Sequence, residues 1–335
     1  MNPGLTVKLR PTGPWRIGPD SGARNQVDVV YHSDSLYAAV TSALARLGSF
    51  EEWLDATARN GAPAVCFSSC FPFLEENAFV VPPRTLWPPE APALLSAHVR
   101  WKSARFVPVG VVQNLLAGQA PEENQWTVDG PSGCLVPAGH AGPFRAGLRG
   151  NAAVDRMAGS TERHSTACLE FREGAGLWTV VSFADDAARD RWMDPVKAAF
   201  RLLADSGFGG ERSRGWGRSE MPEFTEGTLP QLILPGGVAA ESSQAHWLLS
   251  LFAPAATDAV DWSRGNYSVL ARGGRVETAA GYGELKKQLQ MVAEGSVLYA
   301  GEGLRGSAPD VAPDGFAHPV FRAGFAVSIP LPEAS

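Results

Sequence analysis

The sequence predicts an α+β protein. Its first domain follows the strand and helix order of a ferredoxin-like βαββαβ unit broken by a long insertion, and a smaller β-rich domain comes after it. Three observations carry this: two amphipathic helix patterns far apart, each behind a strand pattern; an aperiodic stretch between them; and a last hundred residues rich in strand signals but poor in helix-length ones. With 335 residues the chain is long enough for two cores. Its 36 glycines and 26 prolines exceed ordinary usage without reaching the share that marks disorder, so many turns are expected.

The elements follow in order. LTVKLRPTG places a first strand at Val7 to Arg10, and a Gly/Pro/Asp/Asn-rich connector leads to YHSDSLYAAVTSALARLGS. There Ser33 or Asp34 is a suitable N-cap, Leu36, Val40, Leu44 and Leu47 form one apolar stripe, and Gly48 supplies the stop. AVCFSSCFPFLE and NAFVVPP read as two short strands, the first limited by Pro72 to an edge or a break. From Arg84 to about Gly176 periodicity fades, with only STACLEFRE alternating cleanly before the strand LWTVVSF. MDPVKAAFRLLADSG restores a helix, with Asp194 as N-cap, Pro195 at the first helical position, Val196, Phe200 and Leu203 on one face, and Gly207 closing it. MPEFTEG is the last strand of this unit.

Expected boundaries are therefore 1–230 for the first domain, with an insertion at about 84–176, and 231–335 for the second. In the second domain HWLLSLFAP, NYSVLARGGRVET with a Gly-Gly hairpin signal, KKQLQMV, GSVLYAG and FRAGFAVSIPL read as strands. No repeat of about 20 to 50 residues is visible.

A net charge of -6 argues against polyanion binding by the whole surface, so any nucleic-acid site must be local. The N-terminus lacks the pattern of a signal peptide, and no run of about 18 apolar residues is present, so a cytoplasmic protein without a membrane partner is expected. Cys66, Cys70, Cys134 and Cys168 match no metal-knuckle spacing and read as buried thiols; no metal or cofactor is implied.

Against that acidic background, GFGGERSRGWGRSE places five glycines and three arginines between Gly207 and Glu220. Gly207, Gly209, Gly210, Gly215 and Gly217 allow the main chain positive φ and a close approach to a ligand. Arg212, Arg214 and Arg218 offer forks for phosphate oxygens, Ser213 a hydroxyl, and Trp216 a face for a base. Chemically this is a phosphodiester cradle. It is equally a helix stop followed by a hairpin, with arginines paired to Glu211 or Glu220. It lacks the Lys-Ser/Thr ending of a nucleotide-binding P-loop and follows a helix instead of opening one. FRAGLRGNAAVDRMAG sets Arg145, Arg149, Asn151 and Arg156 in the insertion, as a basic RNA contact or a solvated loop. His32 and Ser33 stand at the open end of the first helix, where free N–H groups favour an anion, although capping alone accounts for most of the trio with Asp34.

Taken together, HSDSLYAAVTSAL, CFPFLEENAFVVPPR, NAAVDRMAG, GFGGERSRGWGR and AEGSVLYAGEGLRGSAPDVAP followed by HPVFRAGFAVSIPL resemble the RAMP superfamily of CRISPR proteins. More narrowly, they resemble the type III-A capping subunit family, Csm subunit four, in the family's order over nearly the whole chain. One departure is Ala158, where the family more often has Thr.

The resemblance implies two ferredoxin-like (RRM-like) RAMP domains with an inserted thumb hairpin, and a noncatalytic RNA-holding subunit. It would clamp the 5′ tag of CRISPR RNA, dock the large polymerase-cyclase subunit, meet the adjacent backbone RAMP subunit and meet target RNA only indirectly. Carried over, the loop from Gly207 to Arg218 faces the tag with His32 and Ser33 beside it, while Arg149, Asn151, Val154 and Arg156 of the thumb press on the RNA. The alternative within the superfamily is a metal-independent endoribonuclease in which His32 helps deprotonate a 2′-hydroxyl. Asp28 and Asp34 are the aspartates available for a metal-dependent nuclease by residue type, and Arg305 and Arg322 are open as RNA contacts of the second domain.

Overall fold

Leu5, Val7 and Leu9 alternate along the first strand and are all fully buried, which sets one face of the main sheet against the core. The computed structural model describes residues 2–19, 22–89, 99–154, 157, 161–235, 244–278 and 281–332. In the first part of the chain these form β1 (Asn2–Leu9), α1 (Ser33–Arg46), α2 (Phe50–Ala56), β2 (Val65–Phe67), β3 (Phe71–Leu74), β4 (Asn77–Val80), β5 (Val107–Pro108), α3 (Val109–Leu116), β6 (Trp126–Asp129) and β7 (Cys134–Pro137). Next come β8 (Phe144–Val154), β9 (Thr161–Phe171), β10 (Ala175–Phe183), α4 (Asp186–Ser206) and β11 (Glu223–Leu229). The remainder holds β12 (Ala245–Leu248), β13 (Val260–Asn266), β14 (Val269–Arg272), β15 (Arg275–Thr278), β16 (Gly281–Leu285), β17 (Leu289–Val292), β18 (Val297–Ala300), β19 (Gly306–Ser307), β20 (Gly324–Phe325) and β21 (Ser328–Leu331). The result is a mixed α and β architecture of antiparallel sheets.

The main sheet runs β11-β1-β10-β3-β4-β5, with β2 also on β10. Its principal strands therefore lie in the order fourth, first, third, second. α1 follows the first strand and α4 the third, and both helices pack on this sheet and on each other. The second four-stranded sheet, β13-β18-β12-β21, has the same order among its own strands, second, third, first, fourth, read from the opposite edge. Among the described residues no helix stands between those strands. Periodicity reading finds no repeat here because the two halves share connectivity, not residue pattern.

Several local expectations change. α1 starts at Ser33 with His32 at the cap position and no capping side chain; Ser33 and Asp34 are engaged elsewhere. Leu36, Val40 and Leu44 are buried as the stripe predicts, whereas Leu47, past the last turn, is exposed. α4 begins nine residues earlier than the Asp194–Pro195 signal suggests: Asp185 is the N-cap, accepting from Ala188 N–H at 2.7 Å, and Pro195 lies inside the helix. Trp192 and Met193, buried on the added turns, offset the hydrogen bond that proline removes. The strand break expected at Pro72 falls at Ser68 and Ser69 instead; Pro72 pairs with Leu177, beyond the register of β4. The Gly-Gly hairpin does not form, because β14 pairs with β17 and β15 with β16.

Inside the insertion, β8 and β9 form an eleven-rung hairpin, Phe144↔Phe171 to Val154↔Thr161. Cys70, Cys134 and Cys168 are buried, Cys66 is partly so, and all four are free thiols. Burial pushes Cys66 and Cys134 up to about 12, which keeps them protonated and unreactive. No described helix is long and apolar enough to cross a membrane.

Gly176, in β10 between β1 and β3, leaves no room for a side chain: a Cβ there would run into the Leu9 carbonyl oxygen and lie 2.7 Å from the Phe73 ring. Gly176→Ala is expected to lower stability by about 1 to 3 kcal/mol, seen as a lower urea midpoint at unchanged slope.

Candidate nucleic-acid interface

The glycine-rich loop is built against residues 12–16. Gly207, with φ +77°, ends α4 by donating to Leu203 O. The chain then closes on itself through Phe208 N–H to Gly217 O at 3.2 Å, and docks through Gly210 N–H to Arg16 O at 2.8 Å, Gly217 N–H to Pro14 O at 3.0 Å and Thr12 N–H to Arg218 O at 3.1 Å. Gly209 has φ +85°, and a Cβ there would sit 2.6 Å from Arg16 O; at Gly217, φ +78°, it would strike Phe208 O. These glycines approach the protein's own main chain, which replaces the expected approach to a ligand. Phe208 is the anchor, edge-on to Trp15 at 4.7 Å and Tyr31 at 5.0 Å. Trp216 turns inward and is buried, so its ring is not the exposed stacking face expected from sequence.

What the loop presents to solvent is polar. Arg212, Ser213 and Arg214 form a single 3-10 turn between the left-handed residues Glu211 and Gly215, and all three, with Arg218, are exposed. Arg214 pairs with Glu211 at 3.2 Å, part of the hairpin reading; this half-exposed pair is weak and can be traded for a phosphate.

Arg16, buried, was not singled out by sequence. Its guanidinium donates to the carbonyls of Ala23, Arg24, Gln26 and Ala167 at 2.8–3.1 Å, tying the 18–28 connector and the base of the β8–β9 hairpin to the segment that holds the loop.

On the hairpin, Arg145 and Arg149 both reach across to Glu170, at 3.0 and 2.5 Å, beside Gly147, whose missing side chain gives Glu170 its space. Arg149 remains about half exposed. Asn151 lies opposite His164 and Val154 opposite Thr161 on the two strands. Arg156 and Ala158 lie outside the described residues.

His32, Ser33 and Asp34 face the second half of the chain. His32 Nδ1 meets Glu294 Oε1 at 2.7 Å, Ser69 Oγ donates to the same oxygen, Ser33 Oγ accepts from Leu251 N–H at 3.0 Å, and Asp34 is held by Arg272 at 3.0 Å and by Arg322. All of these groups are buried. Burial pushes the His32 imidazole down, but the Glu294 carboxylate and Asp28, 3.5 Å from Nε2, outweigh it and raise it to about 9. Burial also opposes ionisation of Asp34, and Arg272 and Arg322 hold its carboxyl below the usual range. A histidine protonated at neutral pH and enclosed in this way cannot take a proton from a 2′-hydroxyl. Asp28 is engaged with His32, Arg105 and the amides of Val29 and Val30. Among the described residues there is no cluster able to hold a metal ion. Arg322, open as an RNA contact from sequence, faces Asp34, and Arg305 is exposed.

Residues 241–331 match the family model of the CRISPR Csm4 C-terminal domain. Over those residues the chain carries a Csm4 C-terminal domain. The resemblance drawn from the motifs therefore holds. The fold is similar to a chain of the Csm3-Csm4 subcomplex in the type III-A CRISPR-Cas interference complex, at 14% identity, with TM-score 0.67, over 98% of this chain and 100% of that one. It is also similar to a chain of the Csm1-Csm4 cassette in complex with cA4, at 19% identity, with TM-score 0.58, over 99% and 100%. At such identities the likeness speaks for the fold. Comparison with curated proteins finds no match.

The His32 pair gives this protein a pH signature. Its folded pKa of about 9 lies above the ordinary ~6.5, so its contribution is complete below about pH 6.5 and lost as pH rises through about 9. The urea midpoint of the native protein is expected to fall across that window, by no more than ~3 kcal/mol in stability. His32→Gln should start lower, with Glu294 left unpaired, and show a flatter profile there.

Proposed function

We propose that this chain is a noncatalytic RNA-holding subunit of a type III-A complex, clamping the 5′ tag of CRISPR RNA with the outer surface of its glycine-rich loop. The observation that carries this reading is the exposed group Arg212, Ser213, Arg214 and Arg218 on a loop whose glycines are consumed in locking it to residues 12–16. Such a platform carries forked cations on a fixed main chain, so little main-chain freedom is lost when a phosphate arrives. Arg149, Asn151, Val154 and Arg156 of the hairpin give a second contact, pressing on the strand as it leaves the loop. His32 and Ser33 act one step back: they hold the helix end and, through Tyr31 and Phe208, the anchor of the loop.

In this reading the two sheets of matching strand order are two ferredoxin-like RAMP domains, 1–230 with a thumb at about 84–176 and a degenerate 231–335. The similar chains come from a Csm3-Csm4 subcomplex and a Csm1-Csm4 cassette. By analogy this chain docks the large polymerase-cyclase subunit on one side and a backbone RAMP subunit on the other, meets target RNA only through them, and works in the cytoplasm. Against the nuclease alternative stands His32, which is buried and paired with Glu294.

Arg212→Ala with Arg214→Ala is expected to weaken binding of tagged RNA and to lower the log-log salt slope by about 1.4, two single-strand phosphate contacts at ~0.7 each. Filter binding over a salt series measures this; an unchanged affinity and slope would remove the loop from the account.

A further inference from the structure

We propose a second anion site, for a phosphoryl group, in the cavity between the start of α1 and the β14–β15 turn. The cavity is about 510 Å³, the size of a small-ligand site. Among the described residues Arg272, Arg275, Lys286 and Arg322 line it, together with Asp34 and Ser35.

Asp34 is already satisfied. Arg272 Nε and Nη2 donate to its two oxygens at 3.1 and 3.0 Å, and Arg322 Nη1 donates to it as well. Arg322 Nη2 goes to Gly273 O, and its Nε–H makes no hydrogen bond among the described residues although the side chain is more than nine-tenths buried. A buried guanidinium N–H without an acceptor is costly, and an oxyanion in the adjoining cavity would supply one. The neighbouring turn suits it: Gly274, at φ +118°, keeps the chain free of a side chain where the cavity opens. Forked guanidinium donors and a lysine point charge together fit the tetrahedral, multiply charged phosphoryl group. The inference stands apart from the RNA reading of the glycine-rich loop, since changes at Arg275, Lys286 and Arg322 leave the loop arginines in place.

The test titrates the full-length protein with inorganic phosphate by calorimetry at constant ionic strength, with chloride as the control. One saturable site is expected, at least ~10-fold weaker in Arg275→Ala with Lys286→Ala, two rim changes that leave the thermal midpoint of the unliganded protein in place. Arg322→Lys, which keeps a cation against Asp34 but lacks the Nε–H, is expected to weaken binding similarly. Displacement of phosphate by an RNA octamer bearing a 5′-phosphate, but not by its 5′-hydroxyl counterpart, assigns the site to a terminal phosphate. Displacement by both assigns it to the RNA backbone, and displacement by neither to a small phosphate ester. Absence of saturable phosphate binding, or equal binding by the double variant, overturns the proposal.

Discussion

The structure turns on the buried charges at the start of α1. Asp34 between two arginines, and Glu294 between His32 and Ser69, join residues 225 to 288 positions apart, and the helix end depends on them because no side chain caps it in the ordinary way. A buried ion is tolerable only when fully paired, so each partner needs the others. Removal of one strands a charge in the interior. This makes the relative placement of the two sheets an all-or-none matter.

From that junction the order passes outward. Tyr31, next to His32, packs edge-on to Phe208, Phe208 packs on Trp15, and the main chain around Trp15 carries the glycine-rich loop. Arg16 adds the connector and the hairpin base to the same frame through four carbonyls. Three parts that meet in RNA recognition in our reading thus share one support. The net charge of -6 disfavours polyanions in general, and in our reading the exposed arginines of the loop provide a local exception to it.

How much of this was legible depends on the range of the interaction. The face of α1, the Gly48 and Gly207 stops, the strand at MPEFTEG and the succession of strands and helices along the first part of the chain follow from residues close in sequence, where periodicity and turn chemistry act. The long β8–β9 hairpin was largely hidden, because a hairpin exposed on both faces toward its tip needs no apolar alternation. The early start of α4 was missed because Asp194–Pro195 is as good a local signal as Asp185, and burial of Trp192 and Met193 decided between them.

The sequence by itself determined the composition of the loop, the family motifs and the mixed α and β plan, since these rest on residue identity and short-range pattern. Only the tertiary structure decided that the loop glycines serve docking, that Trp216 points inward, and that His32, Ser33 and Asp34 belong to a junction with Glu294, Leu251, Arg272 and Arg322. The reason is physical: a histidine or an aspartate has the same local signature whether it caps a helix, meets RNA or closes a buried ion pair. The charge that selects among those roles comes from more than 200 positions away.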